Sequence, residues 1–284
     1  MPISSNCRWL ILIVIALLSC AFPLKQFVSS LSGSIQAARS AASNSSSTSN
    51  SQDLAQSDAQ KVTTGEPSIL FIGNSHTSFE SLPQRVAQLI KRAKPEQTPY
   101  VHTHSVATLK SASSDPTCLS EIDTRAWDCV VLQAQEISMS GKYIYSNAEW
   151  IEIAKRAKAR GAKVFFFAEW GRKGIAGETE RTEQIYQEMA DAAEASLIPV
   201  GQSWDRVLTA QPAMSLHAAD GNHQSSLGAA LTALVLAAFI LDQDPNRFAG
   251  FADQSTTDSQ WELFCEQSST VWQANQDSKT GNYK

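Results

Sequence analysis

From Ser68 onward the chain alternates short, wholly apolar runs with longer segments of helical periodicity. That alternation restricts it to an α/β fold, a parallel sheet covered by helices on both faces. Ser68-Ile-Leu-Phe-Ile72 is apolar at successive positions rather than at every second one, the pattern of a strand buried on both sides. Further strands are expected around Tyr100 to Val106, at Cys129 to Leu132, and at Lys163 to Ala168 through Phe165-Phe166-Phe167. Between them, Leu82 to Ala93 places Leu82, Val86, Leu89, Ile90 and Ala93 on one helical stripe. A helix from about Asn147 to Arg160 is stopped by Gly161, a residue free to turn left-handed. Another spans Glu178 to Ala195, followed by the brief apolar Leu197-Ile-Pro-Val200. The helix Leu227 to Leu241 is apolar nearly all round and should pack deep. After Asp242 the signal fades, and residues 253–284 read as a loosely attached tail.

At 284 residues, 43% hydrophobic and 18% charged, the chain can bury one full α/β core and still carry appendages. Residues 1–28 read as a signal peptide, lipoprotein signal or membrane anchor: Arg8 precedes the unbroken apolar run Trp9 to Leu18, which Ser19, Cys20 and Pro23 interrupt. A full membrane span needs about 20 apolar residues, so this run is short for one. Leu17-Leu18-Ser19-Cys20 resembles a bacterial lipobox, with Leu18 where a small residue is usual. Lipidation of Cys20, plain cleavage and an uncleaved anchor would each export the domain, with the membrane as partner of this segment alone. Residues 29–66 are rich in Ser, Ala, Asn and Gln, a composition that cannot bury enough apolar area to offset ordering, and read as a flexible linker. The domain proper is expected over 67–252. A net charge of −5 leaves no basic excess for a phosphate backbone, so nucleic acid is excluded as a partner; Lys155 to Arg160 reads as a solvated helix face. Cys118, Cys129 and Cys265 are an odd number. Cys118 and Cys129 are near enough in sequence to bridge, yet Cys129 lies in an apolar run and reads equally as a buried small hydrophobe.

Chemistry concentrates in two places. In Ile72-Gly-Asn-Ser-His-Thr77, Ser75 stands just past the carboxyl end of a buried strand and ahead of a helix, where ligands bind in open α/β sheets. Gly73 should let the backbone turn and present free N–H groups near the hydroxyl. A serine hydroxyl needs a base, and the base needs an orienting group. Asp220-Gly-Asn-His223 supplies both within one tight loop, with Ser225 and Ser226 able to cap the helix behind it. Val101-His102-Thr103-His104 offers a competing zinc-like His pair, but no carboxylate or cysteine stands at ligand spacing beside it, so no metal is expected.

Ile72-Gly-Asn-Ser-His-Thr77 resembles the first block of the SGNH (GDSL-like) hydrolase superfamily, and Asp220-Gly-Asn-His-Gln-Ser-Ser-Leu-Gly228 its last. Trp127 to Glu136 is similar to the third block, most closely in a branch that reads Val-Val-Leu-Gln-Xaa-Gln where others carry asparagine. Ala168-Glu-Trp170 and Pro199-Val-Gly-Gln202 are also similar to that branch, so the resemblance spans about 68–241. It implies a flavodoxin-like three-layer α/β/α sandwich of about five parallel strands. It also implies ester hydrolysis, often of acetyl groups on carbohydrates, with no cofactor. Ser75 would be the nucleophile, His223 the base and Asp220 its partner. Ser75, Val106 and Gln135 would form the oxyanion hole.

One block departs: Ser105-Val-Ala-Thr-Leu109 stands where the branch reads Gly-Gly-Ala-Thr-Leu. Val106 does not readily adopt positive φ, so its N–H would be misaimed, at a cost on the order of 100- to 1,000-fold in rate. An acyltransferase, or a catalytically weak glycan-binding domain, is the alternative. Trp150, Trp170 and Trp204 read either as sugar-stacking surfaces or as core. Substrate choice is expected in loops such as 111–123 and 138–145.

Overall fold

The computed structural model describes residues 66–106 and 109–280. The targeting segment with Cys20, all of the linker but Glu66, and Ala107 and Thr108 lie outside the described residues. Five strands form one parallel sheet: β1 (Ser68–Gly73), β2 (Tyr100–Ser105), β3 (Cys129–Leu132), β4 (Lys163–Ala168) and β5 (Ser196–Pro199), in the order β2-β1-β3-β4-β5. This is the flavodoxin-like order, and its switch point lies between β1 and β3.

The connecting helices are α1 (Ser75–Ser78), α2 (Leu82–Ala93), α3 (Leu109–Ser114), α4 (Pro116–Thr124), α5 (Ala148–Ala159), α6 (Glu178–Ala193), α7 (Val200–Ala210), α8 (Ser226–Leu241) and α9 (Asp258–Thr280). Because strand side chains alternate, the apolar run of β1 is split between two cores. Ile69 and Phe71 face α2, α7, α8 and α9; Leu70 and Ile72 face residues of α4, α5 and α6. The all-round apolar α8 sits in the first of these layers with Ala229 to Phe239 buried. Its first turn is capped by Ser225, whose hydroxyl accepts the Gly228 N–H at 3.1 Å. Gly161 has φ +89°, the left-handed stop expected after α5.

Two readings are corrected. The segment 111–123, expected as a loop, is mostly helix. Asp115 caps α4 by accepting the Thr117 N–H at 2.8 Å, and Pro116 occupies the first turn, so Asp115-Pro116 is a helix start rather than a loop. The helix α7 follows β5 directly and adds an element for which the sequence analysis gives no reading. Residues 253–284, expected as a loose tail, contain the 23-residue α9, which buries Trp261, Phe264, Cys265 and Val271. Burying Trp261 and Phe264 stabilises the fold by about 2 kcal/mol or more each, and the Trp261 indole also donates to the Phe248 carbonyl at 2.8 Å. Ser268 and Ser269 occupy buried positions on α9 and dilute its apolar stripe, which is why the pattern faded.

Cys118, Cys129 and Cys265 are all buried free thiols. Among the described residues no helix is long and apolar enough to cross a membrane.

Candidate active site

At the end of β1 the chain turns into the single-turn helix α1, with Ser75 exposed at its first position. The Asn74 side chain caps it, accepting the His76 N–H at 2.9 Å. Gly73 does not adopt positive φ. A side chain there would place Cβ 2.1 Å from the Thr77 hydroxyl and 2.9 Å from Oε1 of Gln133, so glycine is required by close packing rather than by a sharp turn. That same Gln133 oxygen accepts the Asn74 N–H at 3.2 Å and the Thr77 hydroxyl at 2.8 Å, tying the turn to the end of β3. No described residue accepts the Ser75 N–H, which leaves it open beside the hydroxyl.

The loop 220–223 reaches this serine. Gly221, at φ +70°, reverses the chain so that Asp220 Oδ1 accepts the N–H groups of Asn222 and His223, both at 2.9 Å. Asp220 Oδ2 lies 2.6 Å from His223 Nδ1, and His223 Nε2 lies 2.7 Å from Ser75 Oγ. The bond to the His223 ring, followed by the two backbone N–H groups, holds the Asp220 carboxyl well below the usual carboxylate range. An ionised Asp220 takes Nδ1–H, leaving Nε2 as acceptor for the serine proton. The Trp170 indole donates to the Asn222 carbonyl at 2.9 Å and Lys173 N–H to the Gly221 carbonyl at 2.8 Å, anchoring the loop.

The His223 ring is held between two others. Phe79 stacks on it at 4.9 Å and His76 at 5.0 Å between centroids. Burial, and next the neighbouring His223, lower the His76 pKa to about 4, so this ring stays neutral. Gln224, fully buried, donates to the Phe79 carbonyl at 2.9 Å and thereby joins the two loops. Neither Phe79 nor Gln224 stood out in the sequence, because a ring stack and a hydrogen bond made across 144 or more positions leave no local pattern.

The expected oxyanion donors divide. Val106 N–H is already donated to the Gly73 carbonyl at 2.9 Å, because the β1–β2 ladder runs one residue past Ser105, and it is not available to an oxyanion. Its neighbour Ala107 lies outside the described residues. Gln135 borders a cavity of about 110 Å³ together with Ser75, His223, Ile137, Met139 and Trp170. One hydrogen of its amide goes to the Ile137 carbonyl at 2.9 Å, and the other is left to point elsewhere.

His102 and His104 are on the edge strand β2. His102 meets Glu121 at 3.1 Å, and His104 lies between Glu121 and Asp115, each at 3.0 Å. Helix α4 and its capping residue Asp115 supply these carboxylates from a segment the sequence pattern did not show as helical. Among the described residues no three His, Cys, Asp or Glu side chains are grouped to hold a metal ion. The tryptophans are core: Trp150, Trp170 and Trp204 are at most 3% exposed, and the last two stack at 3.9 Å, so none is a sugar platform.

No protein-family model matches the chain, and no curated protein does. Among solved structures, a DUF4886 family protein from Bacteroides uniformis is 12% identical with a TM-score of 0.59, over 72% of this chain and 94% of that one. A protein from Slackia heliotrinireducens described as a candidate SGNH hydrolase is 26% identical with a TM-score of 0.47, over 61% and 97%. The esterase EstA from a Pseudoalteromonas species is 12% identical with a TM-score of 0.47, over 62% and 98%. The Bacteroides uniformis structure shares the fold. That fold is a five-stranded parallel α/β sandwich, with the candidate site at the switch point of the sheet.

Proposed function

We propose that the chain is an exported serine esterase that removes a small acyl group, such as acetyl, through a Ser75-His223-Asp220 triad. The observation that carries this is the unbroken hydrogen-bonded line from Asp220 through His223 to Ser75, at 2.6 and 2.7 Å. His223 takes the proton from Ser75 as its oxygen attacks the ester carbonyl, and Asp220 stabilises the imidazolium that forms. Collapse of the tetrahedral intermediate expels the alcohol, which receives that proton, and leaves an acyl-enzyme. His223 then activates water for the second half of the reaction. The Ser75 N–H and the Gln135 amide would hold the negative oxygen, and each such donor contributes on the order of 100- to 1,000-fold to the rate.

The cavity of about 110 Å³ supports a short acyl group. Export and membrane attachment rest on the apolar run and linker of residues 1–66, with a carbohydrate ester as the expected substrate class and no nucleic acid partner. The test is hydrolysis of acetylated sugars and short aryl esters by the full-length protein beside Ser75→Ala. Activity that Ser75→Ala abolishes supports the reading, and activity unchanged by that substitution refutes it.

The occupied Val106 N–H favours one rival, a catalytically weak glycan-binding domain. A fluorophosphonate that labels Ser75 eliminates it. Transfer of the acyl group to an alcohol instead of water uses the same triad and would appear as acylated acceptor.

A further inference from the structure

Beneath the catalytic turn lies a polar cluster that the triad does not use: Gln133, Glu169 and Tyr186, all buried. Gln133 has its amide oxygen on the Ser75 turn and its amide nitrogen 3.2 Å from Glu169 Oε2. Tyr186, from α6, has its hydroxyl 2.9 Å from that same Glu169 oxygen, 2.5 Å from the Ala134 carbonyl, and 2.8 Å from the Ala134 nitrogen. Ala134 is the residue between Gln133 and Gln135. The cluster therefore touches both loops that border the reacting atoms, one carrying Ser75 and the other Gln135.

Counting protons decides the state of the cluster. The Ala134 N–H donates to the Tyr186 oxygen, and the Tyr186 hydroxyl has one hydrogen but two oxygen neighbours. If Glu169 is ionised, that hydrogen serves either the carboxylate or the Ala134 carbonyl, and the other close contact is oxygen against oxygen with nothing between. If Glu169 carries a proton on Oε2, it donates to Tyr186, Tyr186 donates to Ala134, and Gln133 donates to the remaining lone pair of Oε2. Every contact is then satisfied, as buried polar groups require.

We propose that Glu169, in its protonated form, is a positioning residue that locks the Ser75 turn to the Gln135 loop through Gln133 and Tyr186. This rests on the esterase reading above. Burial raises the Glu169 pKa to about 7, and hydrogen bonds that Tyr186 and Gln133 can give to the charged form oppose it. The titratable groups that face it are Tyr186, Glu136 from the loop after β3, and Glu178 at the start of α6, the last paired with Arg172. A carboxylic acid is specifically needed, because one atom must both donate to Tyr186 and accept from Gln133. The corresponding atom of a glutamine can do one or the other.

The test uses full-length wild type, Glu169→Gln and Ser75→Ala on a short aryl acetate. Glu169→Gln is expected to lower kcat about tenfold with KM held within about twofold, as misplacement of reacting groups does. The wild-type kcat should fall as pH rises through the Glu169 ionisation, and that alkaline limb should vanish in Glu169→Gln. Independently of activity, the infrared carbonyl band of protonated carboxyls at about pH 6 should lose intensity in Glu169→Gln. Wild-type kcat in the variant, an unchanged alkaline limb or an unchanged infrared band each overturns the proposal while leaving the esterase reading intact. If no ester is turned over by the wild type, or Ser75→Ala is without effect, the esterase reading fails and this proposal with it.

Discussion

Two acids reach the candidate nucleophile through intermediaries, Asp220 through His223 and Glu169 through Gln133, and their environments give them opposite characters. Asp220 stands at the rim with half of its side chain in water, and it faces an imidazole and two backbone N–H groups, all donors to a carboxylate. Glu169 is largely buried at the edge of the cavity that Ser75 also lines, against Glu136 and the Tyr186 hydroxyl, where only a neutral carboxyl satisfies its neighbours. The rim rewards charge because hydrogen-bond donors and solvent surround it. The floor rewards the proton because burial penalises charge. Catalysis by this geometry would need both, the first to hold His223 ready and the second to keep the turn beneath it still.

The largest effects should come at the rim. Ser75→Ala or His223→Ala should lower kcat/KM for an aryl acetate by at least about 1,000-fold, read as initial rates against wild type. Asp220→Asn should cost on the order of 10,000-fold, because the amide holds His223 in the wrong tautomer; a loss under about tenfold would make the rim carboxylate incidental.

The floor should show itself in stability. Glu136 is buried beside Glu169 and its carboxyl has no hydrogen-bond partner among the described residues, so burial, then Glu169, raise its pKa from 4.5 to about 9. The folded chain thus keeps a proton that the unfolded chain releases above about pH 4.5. Stability from this group is full below that pH and falls by about 1.4 kcal/mol per pH unit until about pH 9, where it levels. Urea titrations of Glu136→Gln across that window should show a slope shallower by about this amount; an identical slope would mean that the group is charged in the folded protein.

The smallest effect is expected at Phe79, which covers one face of His223. Phe79→Ala should reduce kcat by about tenfold or less while KM for a short ester changes little, through looser placement of the imidazole. Equal losses in Phe79→Ala and Asp220→Asn would show that stacking, not charge, governs this ring.

Much of this arrangement was legible in the chain. Strand and helix positions follow from local apolar periodicity, which requires no knowledge of neighbours, and so β1 to β4, α2, α5, α6 and α8 were readable within a few residues. The Ser75 turn and the Asp220 to His223 loop were legible for the same reason: each packs its chemistry into a few consecutive residues. Where core positions are filled by small polar residues, as on α9, the pattern thins and the helix went unseen.

What the sequence by itself determined is the alternation that makes the sheet, and two short polar segments placed at strand or helix ends. Only the tertiary structure decided which groups meet. It spent the Val106 N–H on Gly73, required Gly73 for room rather than for turning, set Phe79 and His76 on the two faces of His223, and buried Gln133, Glu169 and Tyr186 on one network. The physical reason is range. Periodicity and capping act over one or two turns of chain, whereas hydrogen-bond satisfaction and ring stacking depend on atoms brought together from positions 17 to 148 residues apart.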